Sequence, residues 1–135
     1  MSSLVNRLAL VRSDKKYAWT AVALWMLVIF AFSAQAHSGD ITAQVLHDFN
    51  YIGRKAAHMC EYAILFLLCR NAAKLTWARH PSLIAFAITV LYSMSDEYHQ
   101  SFVPGRTATI NDVIYDSCGA LAAWLVISIW LRLRQ

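Results

Sequence analysis

Charged side chains are scarce in this sequence. They make up 15% of its 135 residues, whereas a soluble domain usually has about 25%. The basic residues behind the net charge of +4 stand in short flanks, without a stripe interleaved with aromatic residues, so they do not indicate a nucleic-acid interface. Cysteine is also rare, and its odd number of three gives no paired disulfide framework. These absences exclude an ordinary soluble domain and a disulfide-stapled one.

Apolar stretches account for the missing charge. Four of them follow one another along the chain, and the first and last are long enough to cross about 30 Å of hydrocarbon, which takes about 20 residues. The second and third reach that length only with the polar residues at one end included. The sequence therefore predicts an all-α integral membrane four-helix bundle, a single domain over residues 1–135. The stretches are Tyr17–Ala34, Ala56–Leu68, Leu83–Met94 and Val113–Leu131.

The basic flanks predict the orientation of this bundle. They occupy the segment 1–16, the connection between the second and third stretches, and the carboxyl-terminal tail. Because cytoplasmic loops carry the excess of Lys and Arg, we expect both termini in the cytoplasm and residues 35–54 and 99–111 outside. The chain is thus predicted to be a multi-pass protein of the bacterial cytoplasmic (inner) membrane. The flanking cations are Arg7, Arg12, Lys15, Lys16, Arg70, Lys74, Arg79, Arg132 and Arg134.

The first outer connection has a helical pattern of its own. Ile41, Val45, Phe49 and Ile52 recur at helical spacing, and we expect a short interfacial helix on the outer leaflet between helices one and two. The sequence Ala34-Gln35-Ala36 before it is similar to a signal-peptide cleavage site. The apolar run that precedes this site is longer than the usual core of about 7–15 residues, which favours an uncleaved span.

A polar stripe opens the second apolar stretch. Lys55, His58, Glu61 and Tyr62 fall at i, i+3, i+6 and i+7, so a helix places them on one face. Exposure of such a stripe to lipid is costly, because ionisable groups lose their hydration there. The stripe is therefore expected to face protein or water.

Further polar residues on helix three, on helix four and between them are predicted at the same end of the bundle. The dipeptide Pro104-Gly105 predicts a tight turn between helices three and four, which folds the chain back. Gly119 and Ala123 then continue a small-residue face that suits close helix packing. The polar residues are Asp96, Glu97, His99 and Gln100 on helix three, Arg106 after the turn, and Asp112 and Asp116 at i and i+4 on helix four.

Three interpretations of the combined polar pocket stay open. The His and acidic side chains supply enough ligands for Zn²⁺ or Mn²⁺, although their spacing matches no strict metal signature. A second interpretation is binding of an anionic lipid headgroup or acid–base chemistry on it, with a His exchanging protons and cations holding a phosphate. The third is an interhelical salt-bridge network without a ligand. Buried charge is a poor source of stability, so the number of ionisable groups favours a functional pocket.

The second interpretation gives each polar residue a predicted role. A serine nucleophile is not among these roles, because no His or acid stands beside Ser93, Ser95 or Ser117 in a recognisable motif. A divalent metal is an alternative that the spacing does not favour, and the expected partner is a membrane lipid or lipid-linked envelope precursor, not nucleic acid. The candidate catalytic residues are His58, Glu61, Asp96, Glu97 and His99. The candidate substrate-binding residues are Lys55, Tyr62, Gln100, Arg106, Asp112 and Asp116.

The polar blocks resemble the VanZ-like family of small polytopic membrane proteins, and the resemblance covers most of the chain from the first helix onward. This family commonly has Asn where the present chain has Asp116. The blocks are Phe32-Ser33-Ala34-Gln35, Lys55-x-x-His58-x-x-Glu61-Tyr62-x-x-Leu65 and Ser95-Asp96-Glu97-x-His99-Gln100-x-Phe102-Val103-Pro104-Gly105-Arg106, followed by Asp112 and Gly119.

The resemblance implies a cellular setting more than a reaction. The name-giving member of the family is associated with resistance to the glycopeptide teicoplanin, which acts on cell-wall precursors outside the membrane. The expected function is therefore an outward-facing polar pocket that binds or acts on an anionic lipid or a lipid-linked cell-envelope molecule, with a link to glycopeptide resistance. The alternative is a non-catalytic structural or partner-binding membrane module whose polar cluster is an interhelical salt-bridge network.

Overall fold

The chain folds into α-helices joined by turns. A computed structural model describes residues 2–35, 49–77, 79–106 and 108–134, with the backbone alone in 2–13 and 49–51. The all-α prediction is confirmed, since these ranges contain four helices and no strand. The helices are α1 (Ser2–Ser33), α2 (Phe49–Thr76), α3 (Pro81–Gln100) and α4 (Ile110–Leu133).

The helix α2 is the centre of the packing. It contacts α1, α3 and α4, whereas α1 meets α3 at few positions. Three aromatic rings join α2, α3 and α4 to one another. Phe66 of α2 lies 6.1 Å from Trp124 of α4, and Phe86 of α3 lies 5.6 Å from the same indole, measured between ring centroids. Buried aromatic pairs of this kind add to the stability gained from area burial. Phe66 belongs to the buried core, and the partly buried Phe86 and Trp124 pack against it.

The register of the helices defines two ends of the bundle. The indole Nε1 of Trp19 donates to the Thr76 hydroxyl at 3.0 Å, which holds the middle of α1 beside the last turn of α2. The opposite end therefore contains the end of α1, the start of α2, the end of α3 and the start of α4. We call these the Lys16 end and the Asp96 end.

Close approach of α2 and α4 depends on a glycine. Gly119 is buried in α4, and a Cβ atom there would overlap the backbone carbonyl of Met59 in α2. Small residues allow helix backbones to come this near. The small-residue face predicted at Gly119 and Ala123 is confirmed, since Ala123 also packs against the buried core.

Two of the helices are long and apolar enough to cross a membrane. Within the described ranges these segments are Asp14–Ser33 and Ile110–Leu133, with mean hydropathies of 1.5 and 1.6. Large apolar side chains such as Leu24, Leu27 and Val126 are exposed along them. α2 and α3 are not among the segments found, and both carry ionisable side chains at the Asp96 end.

Helix boundaries differ from the sequence prediction in two places. α1 is one continuous helix from Ser2, whereas the first apolar stretch of the sequence prediction begins at Tyr17. Most of the predicted interfacial helix falls on residues 36–48, outside the described ranges, and its last members, Phe49 and Ile52, belong to α2. The predicted turn after α3 is confirmed by the positive φ of 77° at Gly105, a conformation that glycine adopts without a steric penalty.

Candidate functional site

Asp96 joins three helices at one end of the bundle. Its carboxylate is buried, with 3% of the residue exposed. One oxygen accepts a hydrogen bond of 2.6 Å from the Ser33 hydroxyl of α1. The other accepts from the Tyr62 hydroxyl of α2 at 3.3 Å and from the Gln100 amide of α3 at 2.9 Å. Hydrogen bonds to a charged group are stronger than neutral ones, so this carboxylate ties the three helices together.

The same group extends to the turn between α3 and α4. Arg106 donates to the side-chain oxygen of Gln100 at 2.6 Å, and Gly105 before it provides the turn. Partial burial lowers the pKa of the Arg106 guanidinium, and the neighbouring charge of Arg54 lowers it further. We call Ser33, Tyr62, Asp96, Gln100 and Arg106 the Asp96 network.

A second buried carboxylate holds the imidazole of α2. Asp116 of α4 is 1% exposed and accepts a 2.7 Å hydrogen bond from the Ser93 hydroxyl of α3. Its other oxygen lies 3.6 Å from Nδ1 of His58, an ion-pair distance when the ring is protonated. Because Ser93 fixes Asp116, and Asp116 faces one ring nitrogen, the orientation of His58 is set by two neighbouring helices.

Lys55 and Glu97 connect α2 and α3 to the start of α4. Lys55 forms an ion pair with Asp112 and lies over the ring of Tyr115, 5.3 Å from its centroid. Asp112 also accepts from the Thr109 hydroxyl at 2.9 Å. The backbone N–H of Thr109 donates to Glu97 at 3.2 Å. These contacts fix the entry into α4.

Two buried polar atoms of α3 have no hydrogen-bond partner among the described residues. They are Oε1 of Glu97 and Nδ1 of His99. The His99 ring instead packs on Phe30 of α1, with 4.4 Å between ring centroids. A buried polar atom without a hydrogen bond lowers the stability of a folded protein by about 1–3 kcal/mol, so such atoms are uncommon in native structures.

A cavity of about 150 Å³ opens at the Asp96 end of the bundle. Two guanidinium groups, an imidazole and a carboxylate contribute to its wall, together with apolar side chains. α1, α2 and the turn before α4 each supply part of the lining, so the cavity depends on the packed bundle. The lining residues are Phe32, Ser33, Gln35, Arg54, Ala57, His58, Glu61 and Arg106. We call this the polar cavity.

The predicted site residues occupy three positions relative to this cavity. His58, Glu61 and Arg106 line it. Tyr62, Asp96, Gln100 and Asp116 lie behind the lining, buried and hydrogen-bonded. Lys55, Asp112, Glu97 and His99 are absent from the cavity wall, engaged in the contacts described above.

Three groups of the site were given no role by the sequence. Ser33 and Ser93 donate to Asp96 and Asp116, and Arg54 lines the cavity. Ser33 and Ser93 stand far from their carboxylates in the chain, so no local motif could indicate these pairs. Arg54 had a usable signal, because it stands one helical turn before His58 on the same stripe.

Metal ligation is not supported by a compact donor set in the part of the chain that the structure describes. No three His, Cys, Asp or Glu side chains there stand close enough to hold an ion. Lys55 already neutralises Asp112. Four acids instead accept hydrogen bonds from hydroxyl, amide or backbone donors, namely Asp96, Glu97, Asp112 and Asp116.

An all-α fold with two membrane-length helices and a buried acidic group at one end describes a small membrane protein. The chain belongs to the VanZ/LLP1 family, whose family model matches residues 17–131. The match spans every polar block of the site, and the resemblance found in the sequence is confirmed. No curated protein and no solved structure matches the chain.

Proposed function

We propose that this chain is a multi-pass protein of the bacterial cytoplasmic membrane whose polar cavity binds or acts on an anionic lipid or a lipid-linked cell-envelope molecule. The observation that carries the proposal is the lining of the polar cavity, where Arg54 and Arg106 stand with His58 and Glu61. Guanidinium groups recognise phosphate through paired hydrogen bonds. A phosphate at these two arginines would lie beside a group that can exchange protons.

His58 is the proposed acid–base group. Its Nδ1 faces Asp116 at 3.6 Å, and a carboxylate in this position selects the tautomer and the ring orientation. The other ring nitrogen, Nε2, is then the one that exchanges a proton with a molecule in the polar cavity. Ser93 acts indirectly by holding Asp116, so it is a positioning residue in this proposal.

The proposed orientation puts the Asp96 end of the bundle outside the cell and both termini in the cytoplasm. The support is the charge pattern, since Lys15 and Lys16 before the apolar part of α1, Lys74 and Arg79 around the α2–α3 connection, and Arg132 in the last turn of α4 belong to the Lys16 end. Cytoplasmic ends carry such an excess. A pocket at the outer face is compatible with envelope precursors and with a link to glycopeptide resistance.

Cysteine labelling tests the orientation. In a variant whose native cysteines, Cys60, Cys69 and Cys118, are replaced by Ala, a cysteine is placed at Ser101 or at Arg79, which are both exposed. We expect Ser101→Cys to react with an impermeant maleimide on intact cells, and Arg79→Cys to react only after permeabilisation. The reverse labelling would show that the positive-inside prediction is wrong for this chain.

Lipid retention tests the cavity. We expect the wild-type chain, released from membranes in mild detergent, to carry an anionic lipid in native mass spectrometry. Arg54→Gln removes one guanidinium from the cavity, and we expect the retained fraction to fall on the order of tenfold, the value of one hydrogen bond to a charged group. Arg79→Gln removes an exposed guanidinium at the other end and serves as the matched control.

A second candidate function is the non-catalytic structural module. It is favoured by the hydrogen bonding of the Asp96 carboxylate, which accepts three hydrogen bonds from donors on three helices. This alternative expects Arg54→Gln and Arg79→Gln to retain the same lipids, and His58→Ala to lower the melting temperature while exposed His80→Ala does not. Unchanged lipid retention in Arg54→Gln would therefore reject the cavity proposal.

A further inference from the structure

The Lys16 end carries a groove that the proposed function does not use. It measures about 580 Å³ and lies between the first turns of the apolar part of α1 and the last turn of α2. Its lining residues are Lys15, Lys16, Trp19, Thr20, Ala23 and Thr76. The polar cavity lies at the opposite end, so the two features share no residue. We call this the Lys15–Lys16 groove.

The lysines of the groove are held on a helix. α1 runs without a break through Lys15 and Lys16, and the α1 residues of the groove fall at i, i+1, i+4, i+5 and i+8, which is one helical face. Both ammonium groups therefore project from a fixed stripe, beside the small residues Thr20 and Ala23. The order along the stripe is cationic first and apolar afterwards, as in a phospholipid from headgroup to acyl chain.

Hydrogen bonds hold the wall of the groove that is formed by Trp19 and Thr76. Trp19 donates from Nε1 to Thr76 at 3.0 Å, and Thr76 in turn donates to the backbone carbonyl of Ala72 at 2.8 Å. The Trp19 ring also meets the exposed Trp77 edge to face, 5.6 Å between centroids. Paired indoles with one polar edge are typical of the boundary between hydrocarbon and water. The groove thus stands where a headgroup and the first part of a chain meet.

We propose that the Lys15–Lys16 groove binds one anionic phospholipid of the cytoplasmic leaflet. Lys15 and Lys16 hold its phosphate, and its acyl chain lies along Thr20 and Ala23 against Trp19. Charge complementarity selects the occupant, since anionic lipids of this leaflet are attracted by basic residues next to a span. The proposal depends on the orientation argued above but not on a ligand in the polar cavity.

The test uses the full-length chain in nanodiscs of phosphatidylcholine with increasing phosphatidylglycerol, followed by native mass spectrometry of lipids that stay bound. We expect wild type to retain phosphatidylglycerol in preference to phosphatidylcholine. The double variant Lys15→Gln/Lys16→Gln should lose that preference on the order of tenfold. Lys74→Gln removes an exposed lysine at the same end but outside the groove, and should keep it.

A second readout locates the lipid. A phosphatidylglycerol with a brominated chain should quench part of the tryptophan fluorescence in wild type, and Trp19→Phe should abolish that part. Equal losses in Lys74→Gln and the double variant would mean general surface charge and would overturn the proposal. Displacement of the lipid by soluble glycerol phosphate would overturn the assignment to a membrane lipid. Arg54 lies outside the groove, so Arg54→Gln should keep the Trp19-dependent quenching whether or not it loses lipid from the polar cavity, and this separates the two sites.

Discussion

Gly119→Ala is expected to destabilise the bundle by about 2 kcal/mol, although alanine is the better helix former. Helix propensity alone would stabilise the variant by about 1 kcal/mol. The new methyl group, however, overlaps the backbone carbonyl of Met59. Backbone cannot rotate away as a side chain can, so α2 and α4 must separate, and overpacking of this kind costs about 1–3 kcal/mol or more. Equilibrium denaturation in mild detergent measures the change in the free energy of unfolding.

Gly53→Ala is the matched control for this prediction. Gly53 also lies in a helix, but a Cβ atom there would meet nothing within 4 Å. The same substitution should therefore be neutral or stabilise by up to about 1 kcal/mol. Opposite signs at the two glycines would demonstrate the close contact of α2 and α4. A stabilised Gly119→Ala variant would contradict the packing described here.

The helices were predictable because each has a long apolar run, and a run of that kind in a chain poor in charge has few alternatives to a helix. The extent of α2 was less predictable. It continues on both sides of the run Ala56–Leu68 to the full range Phe49–Thr76, because neighbouring helices satisfy its polar stripe. Lys55 forms an ion pair with Asp112, and Tyr62 donates a hydrogen bond to Asp96. A hydropathy pattern contains no information about such partners.

The sequence predicted which residues belong to the site, because ionisable residues are rare in this chain. It did not predict which contacts each of them makes. Asp96 and His99 stand three positions apart in the sequence, yet Asp96 joins a network of three helices while His99 packs on Phe30. Both side chains meet α1, Asp96 at Ser33 and His99 at Phe30, so the partner that each one contacts decides this difference. Ser33 and Ser93 illustrate the same limit, since their roles depend on contacts between distant parts of the chain.

Asp96→Ala is expected to be among the most damaging substitutions, with a loss of about 2–4 kcal/mol in the free energy of unfolding. It removes the acceptor of three donors on three helices, Ser33, Tyr62 and Gln100. Each of these groups is buried, so water cannot replace the lost carboxylate freely. The loss should be seen both in the detergent denaturation curve and in a lower yield of folded protein.

Asp96→Asn separates the charge of this carboxylate from its shape. The amide keeps one oxygen as an acceptor, but its NH₂ group cannot accept from the remaining donors, so we expect an intermediate loss of about 1–2 kcal/mol. Ser95→Ala is the control on the same helix, because Ser95 is exposed and donates to the carbonyl of Tyr92 in the preceding turn. It should change stability by less than about 0.5 kcal/mol. Equal stabilities of Asp96→Ala and Ser95→Ala would mean that Asp96 does not hold α1, α2 and α3 together.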